Sequence, residues 1–119
     1  MDILVTNNPL VAAQCKSTYQ VDYIDTDIIG LLTKVRDLIH KGHRLLTHPL
    51  TGSVKPNETP YKSIILSEVS GKTDLQSVTI IEDSIAAAQK FSPRNIPEKY
   101  LQDMQMVDLS LITSSKKPT

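Results

Sequence analysis

Ile3-Leu4-Val5-Thr6-Asn7-Asn8-Pro9, residues 3–9, is the stretch whose reading decides the fold. A short apolar and β-branched run closed by a turn signal reads as a buried strand. Asn8 followed by Pro9 is a helix start. The amide side chain caps free backbone N–H groups, and proline suits the first helical position because no hydrogen bond is lost there. A buried strand running straight into a helix opens the strand–helix alternation of α/β domains.

The pattern continues outward from that stretch. Pro9 to Lys16 reads as a short helix with Leu10, Val11 and Ala13 available to pack. Tyr19 to Ile24 alternates apolar and polar residues, as a half-exposed strand near a sheet edge does. Asp25-Thr26-Asp27 places negative charge at a helix N-terminus, and Ile28, Leu31, Leu32, Val35, Leu38 and Ile39 follow on one face. His40 and Lys41 suit the last turn, and Gly42 stops the helix, predicted over 26–41. Arg44 to Thr47 is short enough for a third strand, and Ser63 to Ser67 reads as another buried one. Thr73 and Gln76 form a capping box ahead of Leu75, Val78, Ile81, Ile85, Ala88 and Phe91, predicting a helix over 74–91. The β-branched run Val78-Thr79-Ile80-Ile81 makes a strand at 78–81 the rival reading. Pro97 opens a last helix with Tyr100, Leu101, Met104, Val107 and Leu111 as its apolar face. The expected architecture is a single α/β sandwich domain over 1–113, with a mainly parallel sheet of about four strands flanked by helices. A polar tail, 114–119, is expected to fray.

The totals narrow the function classes. A chain of 119 residues suits one domain, and burying roughly two-thirds of its unfolded surface gives it a core without disulfides. Basic and acidic residues balance at 13 each, so no electrostatic signal points to nucleic acid or a membrane surface. Four tyrosines and one phenylalanine make a poor stacking platform for single strands. The same balance gives little protection against self-association, which keeps a homodimer among the expectations. Cys15 is the only cysteine and reads as a small half-buried hydrophobe. No apolar run approaches the ~18 residues of a membrane span, and the N-terminus lacks the pattern of a signal peptide. A cytoplasmic location is the expectation.

The candidate site is the polar, proline-broken stretch from His43 to Tyr61, because long irregular loops in compact domains are usually functional or disordered. In open α/β sheets ligands bind beyond the carboxyl ends of strands. Thr47-His48 at the end of a third strand would then meet Asn7-Asn8 at the end of the first. Asn7, Asn8, His48, Ser53, Lys55, Asn57 and Tyr61 are the candidate ligand-binding residues, with donors suited to a small anion. The competing reading is a structural loop whose Thr, Ser and Asn satisfy their own turns. A third is acid–base catalysis by His48 with Glu58 or Asp83, or a triad using Ser53 or Ser84, though neither serine lies in a nucleophile elbow. His40, His43 and His48 match no standard metal spacing. No glycine-rich nucleotide fingerprint is present, so neither metal nor cofactor is expected.

Several stretches carry a family resemblance. They are Val5-Thr6-Asn7-Asn8-Pro9, the block from Val35 to His43 running into Leu45-Leu46-Thr47-His48-Pro49-Leu50, the block from Gly52 to Ser63, and Ile81-Glu82-Asp83-Ser84-Ile85. Over residues 3–91 the sequence resembles the GrdX family, small proteins encoded with the glycine, sarcosine and betaine reductase systems of amino-acid-fermenting anaerobic bacteria. The resemblance implies genomic context more than chemistry, and no site residue is carried over from it. Those reductases use selenocysteine and vicinal cysteines, which this chain lacks. The implied role is non-catalytic: an accessory, regulatory or assembly protein with reductase subunits as partners. The alternative is a small enzyme using His48 as general acid or base.

Overall fold

A computed structural model describes residues 1–50, 58–91 and 95–115. Strand β1 (Ile3–Thr6) leads to helix α1 (Pro9–Cys15), β2 (Gln20–Tyr23), α2 (Ile28–His40), β3 (Ser63–Leu66) and α3 (Leu75–Gln89). A single 3₁₀ turn, Glu98–Tyr100, then runs into α4 (Leu101–Ser115).

The sheet has the order β2-β1-β3. β1 is parallel to β2, with Ile3 beside Gln20 and Thr6 beside Tyr23. It is antiparallel to β3, with Ile3 beside Leu66 and Thr6 beside Ser63. The expected sheet of about four mainly parallel strands is therefore corrected to a mixed sheet of three strands among the described residues. The reason lies in the connections. A parallel neighbour needs a long crossover, usually a helix, to return the chain to the starting end of the sheet. α1 does this between β1 and β2. No helix is described between Thr47 and Ser63, and β3 runs back from the end where the chain enters it.

The expected third strand at Arg44–Thr47 is also corrected. It lies along the outer edge of β3, with Leu46 N–H on the Ile65 carbonyl at 2.9 Å and Ser67 N–H on the Arg44 carbonyl at 2.8 Å. Only Leu45 and Leu66 pair as a bridge. Side chains take over the rest of the ladder: Ile65 N–H donates to Thr47 Oγ1 and Leu45 N–H to Ser77 Oγ, each at 3.0 Å. The segment still shields the edge of β3, whose residues are all buried. β2, on the other edge, is half exposed as expected, but its burial does not alternate: Val21 and Asp22 are half-buried, and Gln20 and Tyr23 are exposed.

Alternate residues of the strands face two cores, as the period of a strand requires. Ile3, Val5, Ile64 and Leu66 pack with α2 and α3 through Leu31, Leu32, Val35 and Ile81. Leu4 and Ile65 pack on the opposite face with Val11, Cys15 and Ile112 of α1 and α4.

The helix starts follow side-chain chemistry. Asn8 caps α1 by accepting from Leu10 N–H, and Asp27 caps α2 by accepting from Gly30 N–H. In α1 the packed residues are Val11 and Cys15, while Ala13 faces solvent. The rival strand at 78–81 gives way to α3. Its cap is Asp74 rather than Thr73, because the Asp74 carboxylate accepts from both the backbone and the hydroxyl of Ser77. Leu75, counted on the apolar face, is 77% exposed at the first helical position.

The face of α4 is rotated from the predicted one. Val107 is exposed, and Asp108 and Ile112 are buried instead. An aspartate sits where the apolar stripe predicted a hydrophobe, and its partners on the sheet explain why.

Candidate functional site

Residues from four segments converge at the carboxyl end of β1. Asn7 is the hub. Its amide nitrogen donates to the Thr26 and Pro60 carbonyls, each at 2.8 Å, and its amide oxygen accepts from Lys62 N–H at 2.8 Å. One side chain thus ties the end of β1 to the start of α2 and to the segment leading into β3. An Asn amide carries two donor hydrogens, and Asn7 engages both within the fold. Asn8 does the same: its amide nitrogen donates to the Gln105 carbonyl and to Asp108 Oδ2, each at 3.0 Å.

Asp108 receives a second hydrogen bond on Oδ2, from Ser63 Oγ at 2.7 Å. Ser63 Oγ also lies 2.7 Å from Thr6 Oγ1. A hydroxyl has one proton, and that of Ser63 goes to the carboxylate, so Thr6 donates to Ser63. Thr6 Oγ1 in turn accepts from Asn8 N–H at 3.0 Å. The Thr6–Ser63–Asp108 chain begins at the register pair that joins β1 to β3 and ends on α4.

Asp108 and Lys62 are 6% and 8% exposed. Burial pushes the Asp108 carboxyl above the usual carboxylate range, against the pull of Asn8, Ser63 and the Lys62 charge. Burial also pushes the Lys62 ammonium down, opposed by Asp108. Among the described residues the two do not form a direct ion pair, and no group bonds the Lys62 ammonium. The ion pairs of those residues lie elsewhere, at Met1–Glu68, Lys34–Asp22 and Arg36–Glu82.

Lys62 and Asp108 both line a chamber of about 210 Å³ between residues 58–62 and α4. Met104, Val107 and Leu111 form its apolar wall, and Glu58, Thr59 and Tyr61 complete the polar one. Tyr61 is held in place by Gln105, whose Nε2 donates to its hydroxyl at 2.9 Å. A narrow crevice on the other side of Lys62 and Asp108 is lined by Thr47, His48 and Ser63.

Of the candidate residues, Tyr61 lines the chamber, whereas Asn7 and Asn8 reach its walls only through their bonds to Lys62 N–H and to Asp108. His48 stands at the rim, exposed, with Nδ1 accepting from Leu50 N–H at 3.1 Å. Ser53, Lys55 and Asn57 lie outside the described residues. His43 is turned away, its Nδ1–H donating to the Ser67 carbonyl at 2.8 Å. Among the described residues no cluster of His, Cys, Asp or Glu is placed to hold a metal ion, and no helix is long and apolar enough to cross a membrane.

Sequence reasoning missed Thr6, Lys62, Ser63 and Asp108. One signal was available for Asp108. It sits four residues from both Met104 and Ile112, a lone acid in an apolar row at helical spacing.

The model of the GrdX-like protein family matches residues 3–117. The chain belongs to the GrdX-like protein family. The match extends past the 3–91 of the resemblance and takes in α4, and so the GrdX-like region includes Asp108 as well as Asn7, Asn8 and Lys62. No curated protein and no solved structure matches the chain.

Proposed function

We propose that this GrdX-like chain is a non-catalytic accessory, regulatory or assembly protein of a glycine, sarcosine or betaine reductase system, and that the chamber between residues 58–62 and α4 holds a small carboxylate-bearing ligand. Family membership supports the association with a reductase system. The ligand reading rests on one observation: the Lys62 side chain is nine-tenths buried beside a chamber, with no partner among the described residues. An unpaired buried ammonium is costly, and an anion in the chamber would relieve that cost. The chamber is smaller than the roughly 300–1,000 Å³ of drug-sized sites, which suits a metabolite of few heavy atoms. On this reading Asn7 and Asn8 hold Lys62 and Asp108 in place from outside the chamber, and Lys62, with Tyr61 beside it, meets the ligand.

Two measurements test the proposal. Butyrate titrated into the protein should shift the amide resonances of Tyr61, Lys62 and Met104 saturably, and Lys62→Met should abolish the effect. Affinity capture from extracts of a bacterium that ferments amino acids should recover reductase subunits. The ligand reading fails if Lys62→Met binds butyrate as the parent does. The accessory reading fails if capture recovers no reductase subunit.

A further inference from the structure

The chamber has a second charged wall. Both hydrogen bonds donated to Asp108 fall on Oδ2, and among the described residues nothing donates to Oδ1. A buried carboxylate oxygen without a donor and a buried ammonium without an acceptor therefore line one cavity, and they do not contact each other. Glu58 adds another carboxylate to the same wall. A plain anion would satisfy Lys62 and then lie beside Asp108 and Glu58, where like charges in a partly enclosed site repel strongly. A ligand with a positive end avoids this. We propose that the chamber accepts a small zwitterion, its carboxylate against Lys62 and its ammonium against Asp108, with a short apolar chain toward Met104, Val107 and Leu111. This inference rests on the reading of the chamber as a ligand site.

The opposed charges also set specificity. An uncharged molecule leaves both groups unpaired, and a simple amine or simple acid leaves one. Each failure leaves a desolvated charge without compensation, which is how buried polar groups reject near-isosteres.

Calorimetric titration of the full chain with L-2-aminobutyrate, butyrate and propylamine tests this directly. The first carries both charges, and the other two each lack one. Aminobutyrate should bind about tenfold tighter or more than either half-charged analogue. Asp108→Asn, which keeps an acceptor for Asn8 and Ser63, should bring aminobutyrate down to the level of butyrate and leave butyrate unweakened. Lys62→Met should remove both. If butyrate binds as tightly as aminobutyrate, or if Asp108→Asn leaves aminobutyrate unchanged, the zwitterion inference is wrong and the carboxylate site stands. If none of the three binds, the ligand-site reading falls and takes this inference with it.

Discussion

Ser63 Oγ and Asp108 Oδ2 lie 2.7 Å apart, and this contact carries the chain's last helix onto the start of β3. It joins residues 45 positions apart in sequence and places a carboxylate among the side chains of the α1–α4 core. Removing the acceptor leaves one Asn8 amide hydrogen buried without a partner and turns the Ser63 proton back onto Thr6 Oγ1, at roughly 1–3 kcal/mol for the unsatisfied amide. Asp108→Leu is expected to destabilise the fold by about 2 kcal/mol or more, although leucine is the more apolar residue. Asp108→Asn retains an oxygen in the place of Oδ2 and should stay within about 1 kcal/mol of the parent. Urea unfolding of the three proteins decides the matter. A leucine variant as stable as the parent would show that the contact contributes nothing.

The same carboxyl makes stability depend on pH. Its folded pKa is raised by burial, so the folded chain holds this proton more tightly than the unfolded chain does. The stabilising contribution is full below the unfolded value of about 3.9 and is lost as pH rises through the folded value. Asp108→Asn cannot ionise. Its melting temperature relative to the parent should therefore rise from pH 4 toward pH 7, with near parity at the acid end. An unchanged difference across that range would mean that Asp108 does not titrate with the fold.

Asn7 offers a test of the hub. Asn7→Asp is nearly isosteric, but it removes both donors and sets a carboxylate against the Thr26 and Pro60 carbonyls that the amide now serves. Asn7→Ala leaves Lys62 N–H without its acceptor. Both should lose roughly 1.5–3 kcal/mol, with the aspartate at least as damaged as the alanine. Hydrogen exchange at the Lys62 amide should accelerate in the alanine variant. Unaltered protection there would contradict the clamp.

Two glycines separate backbone from side-chain constraint. Gly42 ends α2 at φ 104°, and a Cβ there would run into the backbone of Gly71. At Gly30 a Cβ meets side chains only, the Thr26 hydroxyl first and then Thr26 Cβ and Asp27 Oδ1, which can shift more easily than backbone, and alanine favours a helix by about 1 kcal/mol. Gly42→Ala is expected to lower the melting temperature by several degrees, and Gly30→Ala to change it little or raise it. Equal losses at both positions would rule out the distinction.

Much of the fold was legible in the chain. The Ile3–Pro9 stretch, the amphipathic stripe of α2 and the breaking residues Gly42 and Pro97 are local signals, and local structure obeyed them. The direction of β3 was less open to reading, because it depends on which end of the sheet the chain reaches after Thr47, and that is set by how Arg44–Thr47 docks along β3. So was the face of α4. Counting apolar residues put Val107 inside, and the polar end of β1 put Asp108 there.

The α/β class and the boundaries of most helices follow from the chain alone, because periodicity, capping and turn chemistry act over a few residues. Only the tertiary structure decided that Lys62 and Asp108 line one chamber, that Asn7 and Asn8 are engaged as struts, and that Arg44–Thr47 is an edge cover rather than a strand. Those outcomes depend on which groups remain unsatisfied once distant segments meet. A buried hydroxyl on β3 and an amide beyond β1 needed an acceptor, and the carboxylate that met the need came from a helix at the far end of the chain.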